Sequence, residues 1–145
     1  MKVLIQRVAK ASVEVEGEVV GKIGTGLVLF FCAEVGDEET QIEKLANKVA
    51  NLRIFPDNDG KMNLSVSDIK GEVLSISQFT LAADVEKGNR PSFTKAMPPE
   101  EAARFYTLFS EALEMRGLKV AKGIFAAHML VNISNDGPVT IMIGV

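Results

Sequence analysis

The sequence predicts a single α+β domain over residues 1–145, built from a largely antiparallel, curved or barrel-like sheet and two long helices. Short segments with apolar residues at alternate positions indicate strands, and two longer segments have apolar residues at helical spacing. The length of 145 residues suits one domain. A composition of 47% hydrophobic and 24% charged residues is sufficient for a sizeable core.

The first 33 residues are predicted to form strands. Val3 and Ile5 lie at alternate positions near the N-terminus, residues 12–15 alternate polar with apolar side chains, and the turn at residues 16–18 indicates a hairpin. Residues 27–33 are apolar throughout, as in a central strand covered on both faces. Cys32 lies in this segment and is the only cysteine, so we expect it to be buried, with no disulfide and no thiolate metal cluster.

Two amphipathic helices are predicted to pack on the sheet. Asp37 is expected to cap the first helix, which continues to about residue 51. Pro98 and Pro99 open the second helix, and Gly117 ends it. The buried stripe of the second helix is predicted to consist of Ala102, Phe105, Phe109, Ala112 and Leu113.

A predicted strand at residues 73–81 combines an apolar body with a polar carboxyl end. Ser77, Gln78 and Thr80 supply hydrogen-bond donors and acceptors without formal charge. A pocket with otherwise apolar walls requires such groups when it binds a polar reacting group. An ordinary strand end, whose Ser and Thr side chains bond to loop backbone, has the same pattern. The residues alone leave both interpretations open.

The loop at residues 82–93 carries two cations beside an aromatic ring. Lys87 and Arg90 can hold a phosphate, and Phe93 can stack on a base. A solvated loop that covers one aromatic side chain explains the same residues. A net charge of −3 argues against a broad nucleic-acid surface but permits contact with one end of an RNA.

Residues 135–138, Asn-Asp-Gly-Pro, are typical of a tight connection between two strands. A Gly-Pro bond is also one that can be cis, and a cis peptide directs consecutive carbonyl groups in a fixed way. Gly137 and Pro138 are therefore candidates for a rigid wall made of backbone.

No metal or cofactor site is predicted. His128 is the only histidine and has no Cys, His or carboxylate at ligand spacing, so we expect it to flank a strand with a local hydrogen bond. No apolar segment approaches the roughly 20 residues of a membrane span, and the N-terminus does not have the pattern of a signal peptide. The chain is therefore expected in the cytoplasm, away from membranes.

Four segments of the chain together resemble the D-aminoacyl-tRNA deacylase family, also described as D-tyrosyl-tRNA deacylases. In chain order they are Gln6-Arg7, residues 77–81, residues 88–93 and residues 135–140. The resemblance implies a hydrolase without metal or cofactor that cleaves the ester between a D-amino acid and the 3'-terminal adenosine of tRNA. It also implies cleavage of mischarged glycyl-tRNA, a role in translation quality control, and a homodimer with active sites at the subunit interface.

The resemblance also implies roles for particular residues. The catalytic pocket is assigned to Ser77, Gln78, Phe79 and Thr80. A cis Gly137-Pro138 bond enters the partner's site and excludes L side chains. The residues predicted to contact the 3' end of the tRNA are Arg7, Lys87, Arg90 and Phe93.

Two questions stay open at the level of the residues. Thr80 is the natural nucleophile by residue type, but no base is near it in sequence, and a water assisted by the substrate's ribose 2'-hydroxyl is the alternative. The other possible functions are a non-catalytic module that grips a nucleic-acid end and a structural dimer without a ligand. Ester turnover distinguishes the first of these from an enzyme, and a pocket beside Thr80 counts against the second.

Overall fold

A computed structural model describes all residues from Met1 to Val145. The elements are β1 (Lys2–Val15), β2 (Glu18–Ile23), β3 (Gly26–Cys32), α1 (Gln41–Asn51), β4 (Phe55–Pro56), β5 (Met62–Leu64), β6 (Glu72–Ser77), a 3₁₀-helix (Phe79–Ala82), α2 (Pro99–Glu114), β7 (Lys119–Lys122) and β8 (Leu130–Gly144). This arrangement confirms the predicted α+β fold. Neither α-helix is both long and apolar enough to cross a membrane.

The long strand β1 organises the main sheet. β8 pairs antiparallel with one edge of β1 along almost the whole length of β1. The other edge of β1 pairs with β3 at residues 2–8 and with β2 at residues 11–15. β6 and β7 then extend the sheet in parallel from β3. β2 curls back over them at Gly21, where a Cβ atom would lie 3.1 Å from the Lys122 carbonyl oxygen. The sheet is therefore strongly curved, as expected.

Two apolar clusters lie on the two faces of the sheet. The larger cluster joins β1, β3 and both α-helices, and its rings include Phe31 and Phe109, stacked with centroids 4.7 Å apart. The smaller cluster fills the space inside the curled sheet, around Val13, Val28 and Leu74. The predicted stripe of α2 is confirmed, since four of its five residues are buried and Ala102 is partly buried.

The predicted cap of the first helix is wrong. α1 begins at Gln41, and Thr40 precedes it without a side-chain capping bond. The Asp37 carboxylate instead accepts a hydrogen bond from the Glu34 amide at 2.6 Å and pairs with the Met1 ammonium. An Asp side chain suits a helix cap and a loop equally well, and here its partners come from the loop and from the chain terminus.

The predicted strand at residues 73–81 is shorter than expected. β6 ends at Ser77, and the chain turns into the 3₁₀-helix after a last bond from the Gln78 amide to the Phe31 carbonyl at 2.7 Å. The neighbouring strand β3 ends at Cys32, so the residues beyond Gln78 have no strand to pair with. A strand continues only as far as its neighbours supply hydrogen-bond partners.

Residues 135–138 do not connect two strands, which corrects the turn interpretation. β8 runs antiparallel to β1 on both sides of this segment. From Ser134 to Thr140 the chain advances six residues on β8, while β1 advances four residues between their partners Lys10 and Gln6. The extra residues form a bulge, and the Gly137-Pro138 bond within it is cis.

Candidate active site

A cavity of about 590 Å³ opens at the carboxyl ends of β3 and β6. Its wall is formed by residues 31–33, 76–79, Phe93, 96–99, Ala102, 125–129 and Val131, and 14 of these 19 lining residues are hydrophobic. The wall thus combines the ends of two neighbouring parallel strands with two segments that follow them in the chain. The result is a largely apolar cavity with few polar groups, as is usual for a small-molecule site.

The strand end that was predicted to be catalytic contributes directly to this cavity. Ser77, Gln78 and Phe79 line it, whereas Thr80 is exposed and lies just outside the wall. The Gln78 Nε2 donates a hydrogen bond to the Thr80 hydroxyl oxygen. No His, Lys or carboxylate forms a hydrogen bond with that hydroxyl, so the structure places no general base beside it.

Two aromatic rings meet at the mouth of the cavity. Phe79 and Phe93 contact each other edge to face, with centroids 5.1 Å apart, and both line the cavity. Phe79 keeps 54% of its surface exposed. Phe93 therefore does more than fill the space under a loop, since it forms an open aromatic surface together with Phe79.

Lys87 and Arg90 lie on the exposed loop between Asp84 and Ser92, outside the cavity wall. The base of the loop is held by an antiparallel bridge between Asp84 and Ser92 and by an ion pair from Lys95 to Asp84 at 3.0 Å. Hydrogen bonding from the Glu86 amide, and next from Lys95, lowers the pKa of the Asp84 carboxyl. Lys87 and Arg90 form no ion pair of their own, so both charges face solvent.

Arg7 is buried and holds the β8 bulge from behind. Its Nη1 donates to the Ile54 carbonyl at 2.6 Å, and its Nε donates to the Asp136 carbonyl at 3.2 Å. The guanidinium also pairs with the Asp136 carboxylate at 3.3 Å. These contacts fix the residue that precedes Gly137, so Arg7 acts within the chain as an anchor for the bulge.

Further hydrogen bonds join the two ends of the bulge to each other and to β1. The Asn135 amide oxygen accepts from the Val139 N–H at 3.1 Å, and its Nδ2 donates to the Thr140 hydroxyl at 3.0 Å. Gln6 donates to the same hydroxyl at 3.2 Å. Gly137 and Pro138 themselves are exposed and do not line the cavity of their own chain.

Several residues of the cavity wall were not predicted from the sequence. His128 stands exposed on the wall and makes no hydrogen bond within the chain, so the expected local bond is absent. Met97, Phe125 and Met129 form much of the apolar surface. These residues come from distant segments of the chain, and no local pattern distinguishes them from ordinary core residues.

Cys32 is buried, as predicted, and also lines the cavity. Burial, and next the Glu34 carboxylate, raise the pKa of its thiol to about 11. A neutral thiol at this position is a small apolar wall group and a poor nucleophile. No group of three or more His, Cys, Asp or Glu side chains is placed to hold a metal ion.

Residues 4–144 match the family described as D-Tyr-tRNA(Tyr) deacylase. The chain belongs to this family. A D-aminoacyl-tRNA deacylase of Thermodesulfovibrio yellowstonii is 51% identical over 143 residues, covering 99% of this chain and 98% of the relative. Another from Ruegeria pomeroyi is 55% identical over 141 residues, covering 97% of each. The resemblance seen in the sequence is thereby confirmed.

Solved structures agree on the fold. A structure described as c-Myc DNA Unwinding Element Binding Protein has a TM-score of 0.94 and 43% identity, and the match covers 100% of this chain and 99% of that chain. A probable eukaryotic D-amino acid tRNA deacylase has a TM-score of 0.85 with 15% identity, over 98% of this chain and 97% of that chain, and supports the fold alone.

The family assignment confirms the predicted enzyme class. The chain is a D-aminoacyl-tRNA deacylase, a hydrolase whose substrate is the ester of aminoacyl-tRNA. A purely structural dimer does not account for the apolar cavity beside the 3₁₀-helix. A module that only binds nucleic acid does not account for the family's activity.

Proposed function

We propose that this deacylase cleaves D-aminoacyl-tRNA and mischarged glycyl-tRNA as a homodimer, in which Gly137 and Pro138 of one protomer enter the partner's cavity. The position of these two residues carries the proposal. They project from the surface on a bulge and do not reach the cavity of their own chain. A second protomer is the partner that brings the bulge and a cavity of the same kind together.

The exposed strand β8 supports a dimer. It pairs only with β1, so its other edge presents unpaired backbone groups over 15 residues. Leu130 and Met142 on this strand are exposed apolar side chains. An edge of this kind is usually covered, and a second copy of the chain would cover it in a two-fold arrangement.

A wall made of backbone atoms would select the substrate by excluding one enantiomer of the aminoacyl group. Arg7 and Asn135 hold the bulge in place, so Gly137 and Pro138 present carbonyl groups from a fixed position. An L side chain would be directed into this wall, whereas a D side chain and the hydrogen of glycine would not. Specificity through a repulsive element of this kind requires no contact with the accepted side chain.

The cavity is proposed to receive the 3'-terminal adenosine of the tRNA. Its apolar wall suits a base, and the exposed ring of Phe79 and the partly exposed ring of Phe93 provide stacking surfaces beside it. Lys87 and Arg90 lie on the loop that leads to Phe93, where they can contact the adjoining phosphates. We propose that this reaction takes place in the cytoplasm.

The proposed chemistry depends on positioning more than on a strong base. Ser77 and Gln78 orient the ester, and the amide groups of Phe79 and Thr80, at the start of the 3₁₀-helix, stabilise the developing oxyanion. Water, assisted by the ribose 2'-hydroxyl of the substrate, attacks the ester carbonyl. The Thr80 hydroxyl has no base beside it and accepts a bond from Gln78, which favours this route over attack by Thr80.

The test of substrate range is single-turnover deacylation of matched D-, glycyl- and L-aminoacyl-tRNA. We expect cleavage of the first two and survival of the third. Comparable cleavage of D- and L-aminoacyl-tRNA would overturn the proposed selector, and an intact glycyl ester would remove glycine from the substrate range.

A subunit-mixing experiment tests whether the bulge acts in the partner's site. Ala96→Trp is designed to fill the cavity, and Gly137→Ala to displace the bulge. Each homodimer should be inactive, but half of the dimers in an equimolar mixture would contain one intact site. About a quarter of the wild-type activity should therefore return on mixing. If none returns although mixed dimers form, the bulge acts within its own chain.

A further inference from the structure

A second depression, of about 460 Å³, lies on β1, β2 and β8 and shares no residue with the catalytic cavity. Its polar side chains come from all three strands, and we call the surface they form the β-face groove. Its members are Lys10, Ser12, Lys22, Asn132 and Ser134.

The strand registers place these five side chains on one face of the sheet. Ser12 lies opposite Lys22 on β2 and opposite Asn132 on β8, and Lys10 lies opposite Ser134. Directly opposed Cβ atoms are about 5 Å apart and diagonal ones about 7 to 8 Å. The ammonium groups of Lys10 and Lys22 can therefore converge on one anion or on two adjacent anions.

The groove is electropositive within an acidic protein. The chain forms eight ion pairs, and neither Lys10 nor Lys22 takes part in any of them. A carboxylate, that of Glu14, lies in the next row of the same face. It accepts a hydrogen bond at 2.8 Å from the Asn132 amide and pairs with neither lysine. The hydroxyl groups of Ser12 and Ser134 have no partner within the chain, so two charges and two neutral donors stay available in a concave surface.

We propose that the β-face groove binds phosphodiester groups of the tRNA body while the 3' end occupies the catalytic cavity. The proposal rests on the proposed function, which gives the enzyme a polyanionic substrate much longer than its cavity. Consecutive residues of β8, Val131 and Asn132, line the cavity and the groove respectively, so the two sites lie on opposite sides of one edge strand. Both residues lie at the amino end of β8, so a long ligand that passes around that end can reach both sites while a partner pairs with the rest of the edge.

The groups in the groove suit phosphate rather than bases. Lysine ammonium groups and serine hydroxyls bind phosphate oxygens, and the groove offers no aromatic ring on which a base can stack. Contacts of this kind are independent of sequence, so the groove should serve tRNAs of different amino acids equally. Two phosphate contacts should contribute about −1.8 to the slope of log K against log salt concentration.

The test compares the wild type with the double variant Lys10→Ala/Lys22→Ala on two substrates. One is full-length D-aminoacyl-tRNA, and the other is the D-aminoacyl ester of adenosine, which has no phosphodiester. We expect the ratio of kcat/KM for tRNA to kcat/KM for the adenosine ester to fall about tenfold at low salt through KM, with a salt slope reduced by about two. Lys10→Arg/Lys22→Arg should restore most of the ratio.

The control variant is Lys44→Ala/Lys48→Ala, which removes two exposed lysines of α1 that also lack ion pairs. It should leave the ratio unchanged. An unchanged ratio and salt slope in the groove variant would overturn the proposal, as would an equal loss on both substrates or a change in dimer mass. Failure of wild type to cleave the adenosine ester of a D-amino acid would instead count against the proposed catalytic site.

Discussion

Replacing Gly137 with alanine tests the role of the bulge, because the substitution adds one methyl group and deletes no side-chain contact. Gly137 has φ +124°, a conformation that L residues rarely adopt. A Cβ atom at this position would lie 2.9 Å from the Val139 Cγ2 and 3.0 Å from the Arg7 Nη2. Both neighbours are buried, so neither can move away at low cost.

The strain of a positive φ and the displacement of the Arg7 side chain by the new Cβ atom both lower stability, and their costs add. Backbone strain at a positive φ costs about 1 to 3 kcal/mol, and loss of the bond between Arg7 and the Asp136 carbonyl costs about 1 kcal/mol more. We expect the free energy of unfolding to fall by roughly 2 to 4 kcal/mol, which corresponds to about 10 °C in Tm for a chain of this size. A displaced bulge should obstruct the site, so deacylation of D-aminoacyl-tRNA should fall at least tenfold while L-aminoacyl-tRNA stays uncleaved.

The measurements are urea unfolding, dimer mass and single-turnover deacylation. Gly17→Ala is the matched control, because Gly17 also has a positive φ, +82°, but no atom lies within 4 Å of its Cβ position. The control should lose about 1 kcal/mol and keep its activity. The reasoning is refuted if Gly137→Ala is destabilised no more than Gly17→Ala and cleaves D-aminoacyl-tRNA at the wild-type rate.

Three further predictions concern single side chains. Arg7→Lys should lower the free energy of unfolding by about 2 kcal/mol, since an ammonium cannot replace the guanidinium bonds to Ile54 and Asp136, and unchanged urea unfolding would contradict this. Thr80→Ala should keep deacylation within about tenfold of wild type, whereas a 2'-deoxy substrate should be nearly inert; a dead variant with a reactive 2'-deoxy substrate would make Thr80 the nucleophile. Burial raises the pKa of Cys32 to about 11, so iodoacetamide at pH 8 should label the folded chain roughly 100-fold more slowly than the unfolded chain, as mass spectrometry can measure.

Local patterns were sufficient wherever one element determines its own structure. The apolar stripe of α2 and the unbroken apolar run of β3 predicted their burial because side-chain periodicity is a property of a single segment. The residues at 135–138 were recognised as exceptional for the same reason, since Asn, Gly and Pro each have distinctive local backbone preferences. The pocket residues Ser77 and Gln78 were found because polar groups at the end of an apolar strand form a local contrast.

Other features depended on parts of the chain that lie far apart in sequence. β6 ends at Ser77 because β3 stops beside it, and residues 135–138 form a bulge because β1 continues on both sides of them. His128 belongs to the cavity wall only because its loop meets the ends of β3 and β6. By itself the sequence determined where the two α-helices and most of the strands lie and which residues are chemically unusual. Only the tertiary structure decided what those residues contact, because hydrogen-bond partners and cavity walls are supplied by distant segments.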